Sequence, residues 1–439
     1  MGDFGKNSAK LLWESLAAGA ERTVLEGDTG PWWWKHSGMR PFARNRTSRT
    51  GRVCPATIGA VAVVLLATLG MAPNGSAAVR TAVTSGAAAA ASGQAPAFGT
   101  INDFGWRKEH ERITVLAMAC DSPFQPDQRA SPCFEPKTLS NLAGGDGGNG
   151  SSGGFGAVGA ADNVAAHFSG GPDFWHCDGA DYLDVPGYPR SRVQASTALS
   201  DCRVFAQSML GNGLKAGNAV YPLCRDLQRH LTWRCEGVTE VAYLMFDGKG
   251  RIDVSQPAKH TAASGCSFNG AKGRIKCLVL QQFGYALHAI QDFFSHSNYA
   301  DVNPTTPYTF ANPPGLGLTA PVPYWDLTKV ATPSVPDDRL STGCFPNSKC
   351  ADQGRTNHDV LNKDKGKIDV ETGVTSQPDT PRGRIWADSQ SNFGRAVRAA
   401  VIQTRAAWTQ LQSLIAAREG DSRARKIACA IASDTPNNC

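Results

Sequence analysis

Histidine and aspartate recur at four-residue intervals in a segment that carries almost no other charge. His288, Asp292 and His296 lie in Leu278–Asp301, and Asp292 is the only formally charged side chain from Leu278 to Ala300. Side chains four residues apart on an α-helix are neighbours on one face. Neutral imidazole nitrogens and carboxylate oxygens are ligands that zinc binds at about 2.0–2.2 Å. The spacing therefore indicates a metal site, in which the three residues share one ion or Asp292 bridges two.

The helix that presents these residues should be largely buried. At about 100° per residue, the His–Asp stripe lies beside an apolar face, together with Gln281 and Tyr285. A solvated face would carry Lys and Glu, whereas this mixture of His, Asp, Gln and Tyr is typical of a lined cavity. The alternative is a pair of core histidines with a capping role. The predicted apolar face consists of Leu280, Phe283, Leu287, Ile290 and Phe294.

Further candidate ligands are scattered along the chain. His110 stands near the start of the predicted helix EHERITVLAMA, and His176 and Asp178 lie in DFWHCDGADYL, with Asp181 close by. His358 begins HDVLNKD. A site built from several helices requires ligands that are distant in sequence, so these residues contribute only if the fold brings them together.

Other chemistries find less support. The sequence has no CxxC pair for a thiolate zinc site. The segment Gly144–Gly159 has nine glycines in 16 residues, but it lacks the GK[ST] ending of a phosphate-binding loop and is a predicted linker or surface loop. His230 lies among arginines that would repel a cation, His260 lies in a predicted surface loop, and the role of His167 is left open.

The N-terminal residues predict export. Arginines after Met39 precede the apolar run Ile58–Gly70, and small residues suited to cleavage follow near Ala77 and Ala78. A basic region, an apolar region and small residues, in this order, form a secretory signal, and the apolar run is shorter than the ~20 residues of a membrane span. We expect translation to start at Met39; the alternative is a cytoplasmic extension with an uncleaved anchor.

Charge and cysteine usage agree with a secreted protein. Of the formal charge of +6, residues 1–78 contribute +4, so the remainder has 35 basic and 33 acidic residues and no strong nucleic-acid signal. Without Cys54 there are twelve cysteines, an even number that allows up to six disulfides in an oxidising compartment. Short loops suggest the pairs Cys120–Cys133, Cys224–Cys235, Cys266–Cys277 and Cys344–Cys350.

Periodicity predicts a mostly helical domain. Residues 109–119, 278–298, 384–418 and much of 190–235 have helical patterns, and strand signals are few. In the last helix, Phe393, Val397, Val401, Trp408, Leu411 and Ile415 fall at core spacing. The predicted organisation is a non-native extension at 1–38, a signal at 39–78, a flexible leader at 79–103, and one helical metal-binding domain at 104–439 with a Pro-rich insertion at 302–350.

The segment HAIQDFFSHSNYAD resembles the central signature of the bacterial zinc-dependent phospholipase C superfamily, most of all its secreted Het-C-like and CinY-like members. EHERITVLAMA resembles that superfamily's N-terminal histidine helix, and FWHCDGADYL resembles the loop that supplies an aspartate to its metals. The resemblance implies an all-α, multi-helix bundle and one to three zinc ions. The cysteines predict that long loops of this bundle are pinned by disulfides. The metal ligands it implies are His110, Asp178, His288, Asp292, His296 and His358.

The chain departs from the family pattern at three points. In the family, the N-terminal amine of the mature enzyme binds zinc, whereas the predicted mature N-terminus near Val79 is far from His110. The histidine after Asp292 follows it by four residues instead of six. Asn362 stands where the family has glutamate. Asp359 or Asp364 would then substitute for that glutamate.

The implied activity is phosphodiester hydrolysis, most closely that of a phospholipase C. Zinc ions lower the pKa of water and neutralise phosphoryl oxygens, and we assign Asp178 the orientation of the attacking water. The expected protein is a secreted monomer that acts on a phospholipid or another phosphodiester and contacts a membrane surface. The alternatives are a nuclease of the same superfamily and a secreted, non-catalytic protein with a structural zinc.

Overall fold

The computed structural model of the chain describes residues 107–124, 130–144, 156–162, 173–214, 245–253, 266–268, 271–272, 275–345 and 347–439. These residues all belong to one compact unit. The predicted extension, signal and leader, and also His167, His230, His260, Cys224 and Cys235, lie outside the described residues.

Helices dominate the described residues, which confirms a mainly α fold. They are α1 Glu109–Met118, α2 Pro136–Ala143, α3 Arg192–Leu214, α4 Ile275–His296, α5 Asn347–Asp352, α6 His358–Leu361, α7 Asn392–Glu419 and α8 Asp421–Ala432. Three antiparallel pairs of two-residue strands accompany them: β1 Ser267–Phe268 with β2 Ala271–Lys272, β3 Lys367–Ile368 with β4 Thr375–Ser376, and β5 Trp386–Ala387 with β6 Gln390–Ser391.

Helix α4 occupies the centre of the unit. It packs against α2, α3, α7 and α8, and the five residues of its predicted apolar face are each at most 1 % exposed. Gly284 allows a further segment, outside these helices, to contact α4, because a Cβ at Gly284 would lie 2.4 Å from the carbonyl carbon of Ala157. The segment around Ala157 and Val158 is therefore seated directly on α4, one turn before His288.

The long C-terminal helix begins later than its periodicity predicts. Residues 386–391, expected to be helical, form the β5–β6 hairpin, whose turn residues Asp388 and Ser389 have φ values of 49° and 64°. Helix α7 starts only after Ser391, whose hydroxyl accepts a hydrogen bond from the Gly394 amide at 3.1 Å and caps the helix. The core positions predicted for this helix are confirmed, since all six are buried.

The Pro-rich segment 302–350 is largely irregular, as predicted, and side chains from the helices hold it in place. Buried Arg203 on α3 donates to the carbonyl oxygens of Tyr324, Asp326 and Lys329 at 2.7–2.9 Å. Gln403 on α7 accepts from the amide of Val322 at 2.8 Å. These contacts replace the backbone ladder that a regular element would supply.

Five disulfides cross-link the described residues. The predicted pairs Cys120–Cys133, Cys266–Cys277 and Cys344–Cys350 are confirmed, and Cys177–Cys202 and Cys429–Cys439 are further pairs. Such density is typical of proteins that fold in an oxidising environment. Within the described residues, no helix combines the length and hydrophobicity that crossing a bilayer requires.

Candidate metal centre

Three histidines and two aspartates from four parts of the chain meet beside α4. We call this group the first cluster: His110 on α1, Asp162, His176, and His288 and Asp292 on α4. Asp292 lies at its centre, with Oδ1 3.1 Å from His110 Nε2 and Oδ2 2.8 Å from His176 Nδ1 and 3.1 Å from His288 Nε2. Asp162 Oδ1 lies 3.3 Å from His288 Nε2 on the other side.

Hydrogen bonds outside the first cluster fix which histidine nitrogens face it. His288 Nδ1 lies 2.9 Å from the carbonyl oxygen of Val158, and His110 Nδ1 lies 2.8 Å from Gln291 Oε1. Both oxygens can only accept, so each Nδ1 carries the proton and the Nε2 lone pair faces the carboxylates. Histidines that bind metals are oriented by such a hydrogen bond from the opposite nitrogen.

Gln291, also on α4, is itself held by two hydrogen bonds. Its amide nitrogen donates to the hydroxyls of Thr114 and Thr404 at 3.0 and 3.2 Å, and its side chain is completely buried. The amide oxygen is thereby left to accept from His110. Helices α1, α4 and α7 thus set the orientation of one candidate ligand through a single buried amide.

A second cluster lies one turn further along α4, at the end of the helix. We define it as Asp178, His296, His358 and Asp364. His296 Nε2 lies 3.2 Å from His358 Nε2 and 3.1 Å from Asp364 Oδ1, while His296 Nδ1 lies 3.2 Å from Asp178 Oδ1 and 3.1 Å from the carbonyl oxygen of His176. Ligand atoms of Asp178, His296 and His358 all lie within 4.8 Å of one another.

The distances within both clusters match the spacing of metal ligands. Two ligands bound tetrahedrally at about 2.0–2.1 Å are about 3.3 Å apart, and the nitrogen–oxygen and nitrogen–nitrogen distances above run from 2.8 to 3.3 Å. Moreover, Asp162 Oδ2 and Asp364 Oδ2 are buried and accept no hydrogen bond from the described residues. Buried carboxylate oxygens facing imidazole lone pairs call for a cation between them.

The electrostatics of the clusters lead to the same conclusion. Burial disfavours the charged imidazolium, but the carboxylates of Asp292 and Asp162 raise the pKa of His288 well above its usual value. The carboxylates of Asp178 and Asp364 raise that of His296 in the same way, against the effect of burial. Although burial favours a neutral carboxyl group, His288, His110 and His296 lower the pKa of Asp292 well below its usual value. The carboxylates therefore favour a positive charge beside His288 and His296.

The structure brings all six predicted ligands into these two clusters, but it separates the His–Asp stripe. His288 and Asp292 belong to the first cluster and His296 to the second, so the arrangement in which both histidines share one ion is not the one formed. His288 directs only Nε2 inward, and one nitrogen binds one ion. It therefore cannot serve both the triad with His110 and Asp292 and the triad with Asp162 and His176.

The structure separates the additional aspartates that the sequence offered as possible ligands. Asp364 lies in the second cluster, whereas Asp359 is 65 % exposed and only its Oδ1 approaches His358 Nδ1, at 3.5 Å. Asn362, at the position where the resembling family has glutamate, accepts a hydrogen bond from the Asp364 amide at 2.7 Å. Asp181 lies outside both clusters, because it is paired with Arg190 and Arg355.

Asp162 was not predicted. It follows the glycine-rich segment that the sequence presents as a linker, and no motif surrounds it. Its position depends on the contact of residues 157–158 with Gly284 and on the 3₁₀ turn Gly159–Ala161, both of which are tertiary features. The sequence signal that existed was a change from glycines to the apolar residues of GAVGAAD, which indicates renewed burial.

One short loop contributes to both clusters. His176 and Asp178 flank Cys177, which has a φ of 56°, is fully buried and is bonded to Cys202 on α3. The amides of His176 and Asp178 both donate to the carbonyl oxygen of Asp173, at 3.2 and 3.0 Å. The disulfide therefore fixes the loop between its two candidate ligands.

We expect removal of this disulfide to weaken metal binding at both clusters. The double variant Cys177→Ala/Cys202→Ala should lower metal affinity by about 10–100-fold, the range seen when groups that orient ligands are lost. A competition titration against a chromophoric chelator measures this. The matched control Cys429→Ala/Cys439→Ala removes a disulfide that closes α8 and should leave the affinity unchanged. Equal affinities for the two variants would contradict a positioning role.

Comparisons with known proteins leave the site to be interpreted from its own geometry. No family model matches the sequence, and no curated protein or solved structure is significantly similar to the chain.

Proposed function

We propose that this chain is a secreted, zinc-dependent phosphodiester hydrolase related to the zinc-dependent phospholipases C. The observation that carries the proposal is the orientation of the buried histidines. His110 and His288 each donate a hydrogen bond from Nδ1 to an acceptor outside the first cluster and direct Nε2 towards Asp292. The carboxylate of Asp292 is completely buried. This arrangement is unfavourable without a cation and suits a metal ion bound by nitrogen and oxygen.

The ligand set favours zinc. All ten cysteines in the described part of the chain form disulfides, so the ligands available there are imidazole and carboxylate. His110, His176, His288, Asp162 and Asp292 would hold metal in the first cluster, and His296, His358 and Asp364 in the second. When bound, zinc lowers the pKa of a water molecule towards neutrality and offsets charge on phosphoryl oxygens.

Asp178 is the residue we assign to the orientation of the attacking water. Its Oδ1 lies 3.2 Å from His296 Nδ1, and the residue lines an open cleft of about 890 Å³. It is therefore the member of the second cluster that adjoins space for a substrate. In the proposed reaction, water is added across one P–O bond, which gives a phosphomonoester and an alcohol.

The proposed activity is tested with protein reconstituted with zinc. It should hydrolyse bis(4-nitrophenyl) phosphate and a phosphatidylcholine analogue, and a chelator should abolish the turnover, which zinc should restore. Single-stranded DNA included as a substrate distinguishes a phospholipase from a nuclease. Tight zinc binding without turnover of any of these compounds would overturn the hydrolase proposal.

The burial of the first cluster supports one alternative, a structural metal. His110, His288 and Asp292 are fully buried, and closed ligand sets are typical of structural zinc sites. Unfolding on chelation together with an absence of turnover would identify this case. The cleft beside Asp178 is the reason for which we place catalysis first.

Export is the part of the proposal that depends on the N-terminal sequence and on the five disulfides. Mass spectrometry of the protein recovered from culture medium should find an N-terminus between about residues 72 and 105, given the lengths of signal and leader. A full-length product confined to the cytoplasm would contradict it.

A further inference from the structure

The cleft that adjoins the second cluster has polar walls. It is formed by the loop that carries Asp178, by the first turns of α3 and by residues 353–355, and its volume is about 890 Å³. Pockets that bind small molecules have volumes of about 300–1,000 Å³. Because Asp178 contacts His296, a molecule in this cleft would lie next to the second cluster.

Two fixed guanidinium groups supply hydrogen-bond donors to the cleft. Arg190 and Arg355 both line it, and both are anchored by Asp181, which is completely buried. Asp181 Oδ1 lies 3.0 Å from Arg190 Nη1, and Asp181 Oδ2 lies 3.1 Å from Arg355 Nε and 2.7 Å from the hydroxyl of Tyr188. Arg190 also donates to the carbonyl oxygens of Gly179 and Gln194, and Arg355 Nη1 donates to Gln353 Oε1 at 3.4 Å. Each guanidinium has five N–H donors and uses three of them on these residues and Asp181, so two of each are left for a ligand.

Carboxylates supply the acceptors. Asp173 and Asp201 line the same cleft and are exposed to solvent. An ionised carboxylate can only accept hydrogen bonds, whereas a guanidinium can only donate them. The cleft therefore presents both kinds of partner around one space, with Gln194 and Gln353 able to act as either.

This mixture discriminates among the head groups of a phosphodiester. A quaternary ammonium group would be repelled by the two guanidiniums, and a second phosphate would be repelled by the carboxylates. An acyl chain would cover charged groups without offering them hydrogen bonds. A polyol satisfies both sets, because each hydroxyl donates one hydrogen bond and accepts others. We propose that the cleft binds a polyhydroxylated head group, so that the preferred substrate is a phosphodiester of a cyclic polyol or sugar; this rests on the proposed hydrolase function.

The test compares two chromogenic substrates that differ only in the head group. With zinc-loaded protein, 4-nitrophenyl myo-inositol phosphate should have a kcat/KM at least about 10-fold higher than 4-nitrophenyl phosphorylcholine, since one or two net hydrogen bonds correspond to about 3–100-fold. Bis(4-nitrophenyl) phosphate serves as the reference without such a head group. Equal values for the two substrates, or a preference for choline, would overturn the proposal while turnover of the reference leaves the hydrolase function standing.

Two variants locate the effect in the cleft. Ala198→Trp fills the cleft from α3 and should lower kcat/KM for the inositol substrate at least about 10-fold, whereas Asp201→Ala, which removes one acceptor, should lower it about 3–10-fold. Neither should change the zinc content, and in both variants the reference, which lacks the head group, should lose less kcat/KM than the inositol substrate. The matched control is Val193→Trp, at a position on the same helix that is 75 % exposed and outside the cleft lining.

A binding measurement keeps the two proposals separate. Calorimetry should detect saturable binding of myo-inositol 1-phosphate to the wild-type protein, and Ala198→Trp should abolish it with circular dichroism and zinc content unchanged. If no substrate is turned over but this binding is present and is lost in the variant, the hydrolase proposal fails and the cleft assignment stands. An absence of binding would overturn the cleft assignment whatever the activity.

Discussion

Replacing Asp292 with asparagine will remove metal from the first cluster and lower kcat/KM for bis(4-nitrophenyl) phosphate by about 1,000-fold. The carboxylate lies within 3.1 Å of nitrogens of His110, His176 and His288. Asparagine keeps the shape but lacks the charge that offsets a divalent cation. The estimate follows because a bound metal supplies several kcal/mol of transition-state stabilisation and each 1.36 kcal/mol corresponds to a factor of ten.

The same variant should change the stability of the metal-free protein only slightly, by about 1 kcal/mol. The imidazoles that face Asp292 can lose their protons when the carboxylate disappears, so no buried charge is left unpaired. Metal content by atomic absorption, steady-state kinetics and urea unfolding of the chelated protein measure the three effects.

Asp301→Asn provides the matched control. Asp301 is equally buried, but it pairs with Arg382 Nε at 2.7 Å and Lys363 Nζ at 3.3 Å. A guanidinium cannot lose its proton, so this variant should lose about 3–5 kcal/mol of stability and retain its metal content. If Asp292→Asn retains full metal content, or loses as much stability as Asp301→Asn, Asp292 is a structural residue and the first cluster is not a metal site.

The central helix could be predicted from sequence because its information is local. The apolar face of α4 and the stripe of His288, Asp292 and His296 both follow from helical periodicity in one uninterrupted segment. Local spacing likewise predicted three of the disulfides, since pairs such as Cys266–Cys277 close short loops. The later start of α7 was missed because the turn at Asp388 and Ser389 interrupts a pattern that continues on both sides of it.

The division of the stripe into two clusters could not be predicted, because it depends on what packs against α4. His176 reaches Asp292 only because the Cys177–Cys202 disulfide holds its loop against α3, and Asp162 reaches His288 only because Gly284 admits residues 157–158. The choice of Asp364 over Asp359 follows from α6, which directs Asp359 to solvent and lets Asn362 hold the Asp364 amide. None of these contacts leaves a pattern in the sequence.

Lowering the pH will weaken zinc binding at each cluster, by about 10-fold per pH unit on the acid side. His288 and His296 have pKa values well above the usual one because their carboxylate neighbours favour the imidazolium form over the opposition of burial. Zinc binds only the neutral nitrogen, so each histidine must release a proton first. Because each cluster contains one of these histidines, one proton is released for each ion bound. The apparent association constant of each cluster therefore rises with the first power of hydroxide concentration, until the pH exceeds the raised pKa of its histidine.

The stability of the metal-free protein should change in the opposite sense. A histidine whose pKa is raised by folding contributes stability that is fully present below its unfolded pKa of about 6.5 and is lost as the pH rises through the folded value. The chelated protein should therefore become less stable with increasing pH over that window, whereas the zinc-loaded protein should not. Thermal unfolding of both forms between about pH 6 and pH 9 tests the difference.

Single variants identify the histidines that release protons when zinc binds. Zinc affinity measured by chelator competition, corrected for protonation of the chelator, should have a slope of about one at each cluster of the wild-type protein, which makes two protons per protein. In His296→Gln, which removes the raised group of the second cluster, the first cluster should keep its slope of about one, and the protein should release one proton instead of two. His260→Gln, at a predicted surface position, should keep the wild-type slope. A wild-type slope near zero would mean that zinc does not displace the imidazolium protons, and the ion would then have to bind elsewhere on the protein.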